Sequence, residues 1–535
     1  MRLLARLTTP ATGDIPLWKL YPLFFAAVYL SHITLLRLPY FWDEAGYYIP
    51  AAWDFFRTGT LIPQTTLTNA HPPLPSILLA AWWHLSGYVV SGTRTLVAMV
   101  AAGALLGVYK LAKELTNTAV AATTVILTAI YPIWFAQSTL AHADIFAAAF
   151  TLWGLAFYLD PTNKTPHKNQ LWTALFFSLA ALSKETAIVT PAALALWEIS
   201  LLVRKRNNAA ESKNHLDWTL GLSSPIVPLG IWYAYHLSKT GFIFGNPEYL
   251  RYNATANLDA HRIALCLWHR LLHLTTHMNM FVPVVCAIAV AFIPVSSTAP
   301  PTIPKQQLKA IVAVLLANWI AFSVLGGALL TRYLLPMYPL ILLLCVATWY
   351  RHLRQWWLLA ALSAAAFLAG IWINPPYAFA PEDNLTYRDF VVLHQHAVHY
   401  IDQHYPQATV LTAWPATAEL SRPELGYTNH PVKTTAIQNF AMDEIQKAAA
   451  EPGTYDTALV FSTKWEPPPN RLNMARGNES TDTKYFDFHR DLSPQEIAAL
   501  LHGDVVWQAH RKGEWAAVIH FPRIVEAQLL PPRQP

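Results

Sequence analysis

The chain has 535 residues, 54% of them hydrophobic and only 13% charged, about half the share usual in soluble domains. Its net charge is +5, yet 19 of its 32 acidic residues lie after position 374, so the first part is distinctly basic and the last mildly acidic. This balance excludes an ordinary soluble enzyme and carries no nucleic-acid signature; it fits a membrane protein with cationic inner loops.

From Leu20 to about Asn374 apolar runs follow one another, each near the ~17–25 residues needed to cross a hydrocarbon layer ~30 Å thick. The predicted spans are 20–39, 93–112, 119–139, 144–159, 170–183, 185–203, 217–237, 276–295, 309–328, 332–350 and 356–374, about eleven in all. The first begins late, is long and has no small-residue cleavage signal after it, so it reads as a retained span. Alternate loops carry Arg2 and Arg6, then Lys110 and Lys113, Lys164 and Lys168, Arg204 to Arg206, Lys305 and Lys309, and Arg351 with Arg354. Cationic loops stay in the cytoplasm, so the N-terminus is predicted inside and the chain's last part outside.

Two stretches do not fit a crossing. Residues 72–88, with Trp82, Trp83 and Tyr88, are read as a helix lying in the outer interface, because a crossing there would break the charge pattern. Residues 238–275 read as an outward loop followed by an amphipathic stretch rich in His and Trp.

The tail, 375–535, reads as a soluble α/β domain facing outward, set against a membrane domain over 1–374. Helical patterns cover 386–404, 435–450 and 493–502, and β-branched runs at 409–412, 457–462 and 515–521 read as strands. Prolines at 375–376 and 467–469 punctuate it. The three cysteines all lie in or beside the apolar part, which leaves the tail without a disulfide framework.

Acidic groups at membrane depth are costly and point to function. Of the thirteen before position 375, Asp43, Glu44, Asp54, Asp144, Glu185, Glu248 and Asp259 fall at the predicted outer face. Asp43 and Glu44 follow the first span in PYFWDEAGYY, where a carboxylate can act as a general base, bind a metal or a substrate, or simply sit in the headgroup layer. His71 begins HPPL, whose prolines start the next helix; it can bond a carboxylate or phosphate, and an ordinary structural helix start is the equal alternative. Asp144 opens the fourth span in AHADIF, a position where helix capping is the ordinary reading.

Outward cations run against the inside bias and can hold a phosphate; snorkelling to lipid headgroups is the competing reading. They are Lys184 in LSKETA, beside Glu185 and open to a local ion pair, Arg251 in PEYLRYN, and Arg332, next to Tyr333, in TRYLLPMYP. His394, His396 and His399 share one tail helix, a spacing that offers at best a poor metal site. There is no Gly-rich phosphate loop, HExxH or nucleophile elbow.

In order along the chain, the acidic pair after the first span, HPPL, the Asp at the fourth span, LSKE and RYLLPMYP resemble the GT-C glycosyltransferases. Within them the likeness is to bacterial relatives of protein O-mannosyltransferases and of the aminoarabinose transferases that act on lipid A. The resemblance implies a GT-C-like polytopic helical fold in the plasma (inner) membrane and a mannosyltransferase-like reaction. The sugar donor would be linked to polyprenyl phosphate, its tail among the membrane lipids, and the acceptor a lipid, protein or glycan. It implies Asp43 as the catalytic base and Glu44, His71 and Asp144 around it, with Lys184 and Arg332 placed for the donor phosphate. Arg251 and Tyr333 are further binding candidates. The two-acid D-x-D metal motif is absent, HAD at 142–144 supplying one carboxylate, so a divalent metal is possible but not required by the motif.

The alternative from another class is a transporter or flippase for lipid-linked saccharides. It predicts polar residues and broken helices near mid-membrane, often in paired halves. Here the polar residues gather at one face.

Overall fold

The computed structural model describes residues 16–162, 166–205, 207–247, 258–295, 303–325, 328–465, 467, 478–486 and 488–522. Helical structure occupies all eleven predicted apolar runs. Three helices are long and apolar enough to cross a membrane by themselves: Val90–Leu115, Glu185–Arg204 and Lys305–Val324. Leu17–Ser31, Thr118–Ile130, Ala143–Tyr158 and Trp357–Trp372 are apolar but shorter.

Breaks in the predicted runs follow local chemistry. The run over 217–237 is divided into Ala209–Ser223 and Ile226–Thr240, parted at Pro225, which has no N–H to continue the ladder. The run over 276–295 shortens to Phe281–Ala291, because Ala260–Asn279 meets it at a bend of 100°. Met278 and Asn279 make that bend with φ of 46° and 67°, and Asn279 donates to the Ala366 carbonyl at 2.7 Å. The interfacial stretch becomes Leu74–Ser86, only 13 residues and about 20 Å long, packed on Ile49–Thr58.

The tail forms one five-stranded sheet in the order β2-β1-β3-β5-β4. Its strands are β1 (Thr409–Ala413), β2 (Lys433–Ile437), β3 (Thr457–Phe461), β4 (Asp504–Arg511) and β5 (Glu514–His520). β1 runs parallel to β2 and β3, and β5 antiparallel to β3 and β4. β1, β3 and β5 answer the predicted strands. β2 corrects the start of the helix expected over 435–450, which is confined to Met442–Ala449. Lys512 and Gly513, at φ 50° and 99°, turn β4 into β5; a Cβ at Gly513 would lie 2.5 Å from Trp465 Nε1. Most buried apolar side chains of the helices and of the tail form one continuous core, beside a small separate cluster of Ala181, Leu229 and Trp232.

Candidate active site

The loop 39–48 is held by a buried ion pair. Glu44 is fully buried; its carboxylate accepts from the Arg94 guanidinium at 2.5 Å and from the backbone N–H groups of Phe41 (2.9 Å) and Ala141 (2.5 Å). Arg94 also donates to the carbonyls of Pro39 (2.9 Å) and Thr139 (2.7 Å). A charge pair with its bonds this well used costs less to bury than a bare one, and it fixes three chain segments together. Glu44 therefore lies beneath the site, with protein groups on both oxygens.

Asp43 points the other way, and at 19% exposure its side chain is the most open carboxylate of the cluster that follows. It accepts from Nη2 of Arg332, which sits in the turn Thr331–Leu334 with its side chain 1% exposed. Nη1 of Arg332 lies 2.9 Å from Glu382 Oε1 and 3.1 Å from His142 Nδ1, and its Nε lies 3.4 Å from Asp144 Oδ2. Lys184 Nζ donates to Asp144 Oδ1 at 2.6 Å and stands 3.9 Å above the Tyr333 ring. A small cavity of about 20 Å³ opens among Asp144, Lys184, Thr190, Asn318, Arg332 and Tyr333.

Two readings of the sequence are corrected here. Asp144 is in the first turn of Ala143–Tyr158, but the N-cap is His142 and the Asp144 carboxylate takes Lys184 instead of capping. Lys184 and Glu185 do not pair with each other: Glu185 takes His71 Nδ1 at 2.8 Å. The His71 ring stacks near Tyr48 at 5.9 Å, and Tyr48 lies 5.8 Å from His142, so His71 joins the edge of the cluster through one aromatic ring. Arg251 lies outside the described residues. In the tail, His394 is buried against Glu419 at 2.5 Å instead of joining His396 and His399. Among the described residues no three His, Cys, Asp or Glu side chains gather as a metal centre, and Asp43 and Asp144 are bridged by cations.

Four contributors escaped the sequence reading: Arg94, His142, Glu382 and Asp383. Arg94 was legible, being a cation at the start of the second predicted span. Glu382 and Asp383 form an acidic pair just after the last span, as Asp43 and Glu44 do after the first. Asp383 takes His277 Nε2 at 2.7 Å and the Thr331 hydroxyl, bracing the turn that carries Arg332. Burial pushes Glu382 up to about 8, with Arg332 opposing and Asp43, Asp383 and Asp144 adding to the rise.

Residues 70–232 match the model of the family described as dolichyl-phosphate-mannose-protein mannosyltransferase, a segment that includes His71, Asp144 and Lys184. A comparison with curated protein sequences finds no match. The crystal structure of ArnT from Cupriavidus metallidurans in the apo state is similar over 93% of this chain and 97% of that one, with a TM-score of 0.57 and 14% identity. The same protein bound to undecaprenyl phosphate is similar over 93% and 97%, with a TM-score of 0.55 and 15% identity. Identity at that level speaks for the fold. The fold is that of ArnT, and residues 70–232 are similar to the mannosyltransferase family model, in line with the resemblance drawn from the order of the motifs.

Proposed function

We propose that this chain is a glycosyltransferase that moves a sugar from a polyprenyl-phosphate-linked donor to a lipid, protein or glycan acceptor. The observation that carries the reading is the meeting of Asp43, the open carboxylate, with Arg332 and Lys184 at one buried cluster. The match to a mannosyltransferase family model and the fold shared with a protein that has been crystallised with undecaprenyl phosphate support it. On this reading the outer-face orientation, the eleven spans and the division into a membrane part (1–374) and an outward tail (375–535) belong together.

In the proposed reaction the donor phosphate replaces carboxylate partners at Arg332 and Lys184. Asp43, released from Arg332, takes the proton of the acceptor hydroxyl or amine as it attacks the anomeric carbon. The C1–O bond to phosphate breaks, its electron pair stays on the phosphate oxygen, and the two cations hold the charge that develops there. Glu44 and Arg94 keep the loop in place throughout.

The test uses purified full-length protein with a panel of undecaprenyl-phosphate sugars, wild type against Asp43→Asn. Wild type should release undecaprenyl phosphate from at least one donor, and the variant should be slower by about 10²-fold or more. No cleavage of any donor would overturn the transferase reading and favour a transporter. A variant as fast as wild type would remove Asp43 from the chemistry.

A further inference from the structure

The reaction above uses Asp43, Lys184 and Arg332 but leaves Glu382 without a task. Glu382 enters from the tail side, in the turn Pro381–Asp383, and is 4% exposed. It approaches Nη1 of Arg332 while Asp43 holds Nη2, so the two carboxyl groups flank one guanidinium. Glu382 Oε1 is at ion-pair distance from Nη1 yet off the hydrogen-bond direction. Arg332 Nε and Asp144 Oδ2 are likewise buried without a hydrogen bond. Three polar atoms in one tight cluster thus keep bonding capacity for a polar ligand.

Resting on the transferase reading, we propose that Glu382 is the proton donor to the leaving phosphate, working opposite Asp43 as the proton acceptor. The charges of the cluster agree. Arg332 and Lys184 supply two positive charges, whereas Asp43, Asp144 and an ionised Glu382 would supply three negative ones before any phosphate arrives. A neutral Glu382 balances the cluster, and its acid group, held up to about 8 chiefly by burial, keeps its proton at neutral pH. The neighbouring Asp383 is engaged by His277 and Thr331, with Tyr131 and Tyr338 facing it, and His142 lies on Nη1 of Arg332.

The step balances. The acceptor loses its proton to Asp43 and bonds to C1; the C1–O bond breaks toward phosphate; Glu382 gives its proton to that phosphate. The products are the glycosylated acceptor, polyprenyl phosphate carrying one added proton, protonated Asp43 and ionised Glu382. A proton then passes from Asp43 to Glu382, directly or through solvent, and the site is reset. Two carboxyls whose surroundings push them apart in acidity are the usual basis for such a division of roles.

The experiment measures undecaprenyl phosphate release between pH 5.5 and 9.5 for full-length wild type, Glu382→Gln and Glu382→Asp, together with binding of undecaprenyl phosphate itself. Wild-type kcat should fall on the alkaline side, about tenfold per pH unit once above the acid's range. Glu382→Gln should lose about 10²-fold in kcat at pH 7, lack the alkaline limb, and keep its donor KM within roughly threefold. Glu382→Asp should recover part of the rate together with the limb. An active wild type whose Glu382→Gln variant retains kcat or the alkaline limb overturns this role and leaves the transferase reading standing. A Gln variant that no longer binds undecaprenyl phosphate shifts the decision to Glu382→Asp, where binding without any recovered rate overturns the role. A wild type inactive on every donor overturns the transferase reading, and this role with it.

Discussion

Asp43 and Glu44 are adjacent carboxylates with opposite surroundings, and their substitutions should separate cleanly. Glu44 has Arg94 and two backbone N–H groups on its oxygens and no exposed surface. Glu44→Gln should destabilise the protein by roughly 3 kcal/mol, because Arg94 is left as an uncompensated buried charge. The check is thermal unfolding: a clear fall in Tm for Glu44→Gln and a smaller one for Asp43→Asn, whose side chain is partly open and whose partner Arg332 keeps Asp144 beside it. Equal effects on Tm would show that the loop is not pinned at Glu44. Gly46 completes the loop's constraints, since a Cβ there would meet the Trp414 ring at 2.5 Å. The tail thus presses on the segment that carries Asp43.

At the level of elements, the site depends on turns more than on helices. Arg332 sits in a short 3-10 turn, Glu382 in another, and Asp383 joins the second to the first through Thr331 and to the bend at Met278 through His277. In the sheet, β5 buries Glu514, which accepts from the Ser462 hydroxyl. Burial pushes this carboxyl up to about 7 against the ordinary 4.5, Ser462 opposing and Asp389 adding to the rise. A carboxyl raised on folding favours the folded state most below its unfolded value. Stability should therefore fall as pH climbs from about 4.5 to about 7 and level off above. Glu514→Gln should flatten that slope and exceed wild type at pH 8 by up to roughly 3 kcal/mol, read from denaturation midpoints at pH 5 and pH 8. Parallel slopes for the two proteins would refute it.

Across the whole molecule, the tail is bound at several separate points to the loops that follow the first apolar helix and Leu74–Ser86. Tyr427 donates to the Tyr40 carbonyl at 3.0 Å, Tyr88 to the Glu424 carbonyl at 2.7 Å, and Arg422 to the Thr65 carbonyl. These contacts join parts of the chain more than 300 residues apart, which is why a division into membrane and tail parts, natural in the sequence, does not divide the site. The proposed orientation has its own test. With Cys266, Cys286 and Cys345 replaced, a single cysteine at the exposed position Glu451 (Glu451→Cys) should react with an impermeant maleimide on intact cells stripped of their outer barrier. Labelling only after permeabilisation would reverse the orientation and move the site to the other face.

The apolar runs, the cationic loops and most of the site's residue types were legible because burial in lipid and placement of charge act on composition, which a sequence displays directly. Asp43, Asp144, Lys184 and Arg332 could be found singly for that reason. Their pairing could not: Lys184 to Asp144 instead of Glu185, Glu44 to Arg94 instead of the site, and Glu382 to Arg332 are choices among equal charges. Only the tertiary structure makes them, because ion pairs between residues distant in sequence depend on which helices and turns come together. The edge strand β2 and the break at Pro225 belong to the same class, short segments decided by their neighbours. By itself the sequence determined the apolar runs of a membrane protein and an ordered set of charged motifs resembling those of the GT-C glycosyltransferases. The tertiary structure decided that Asp43 faces the cluster while Glu44 anchors the loop, and that the tail supplies one of its acids.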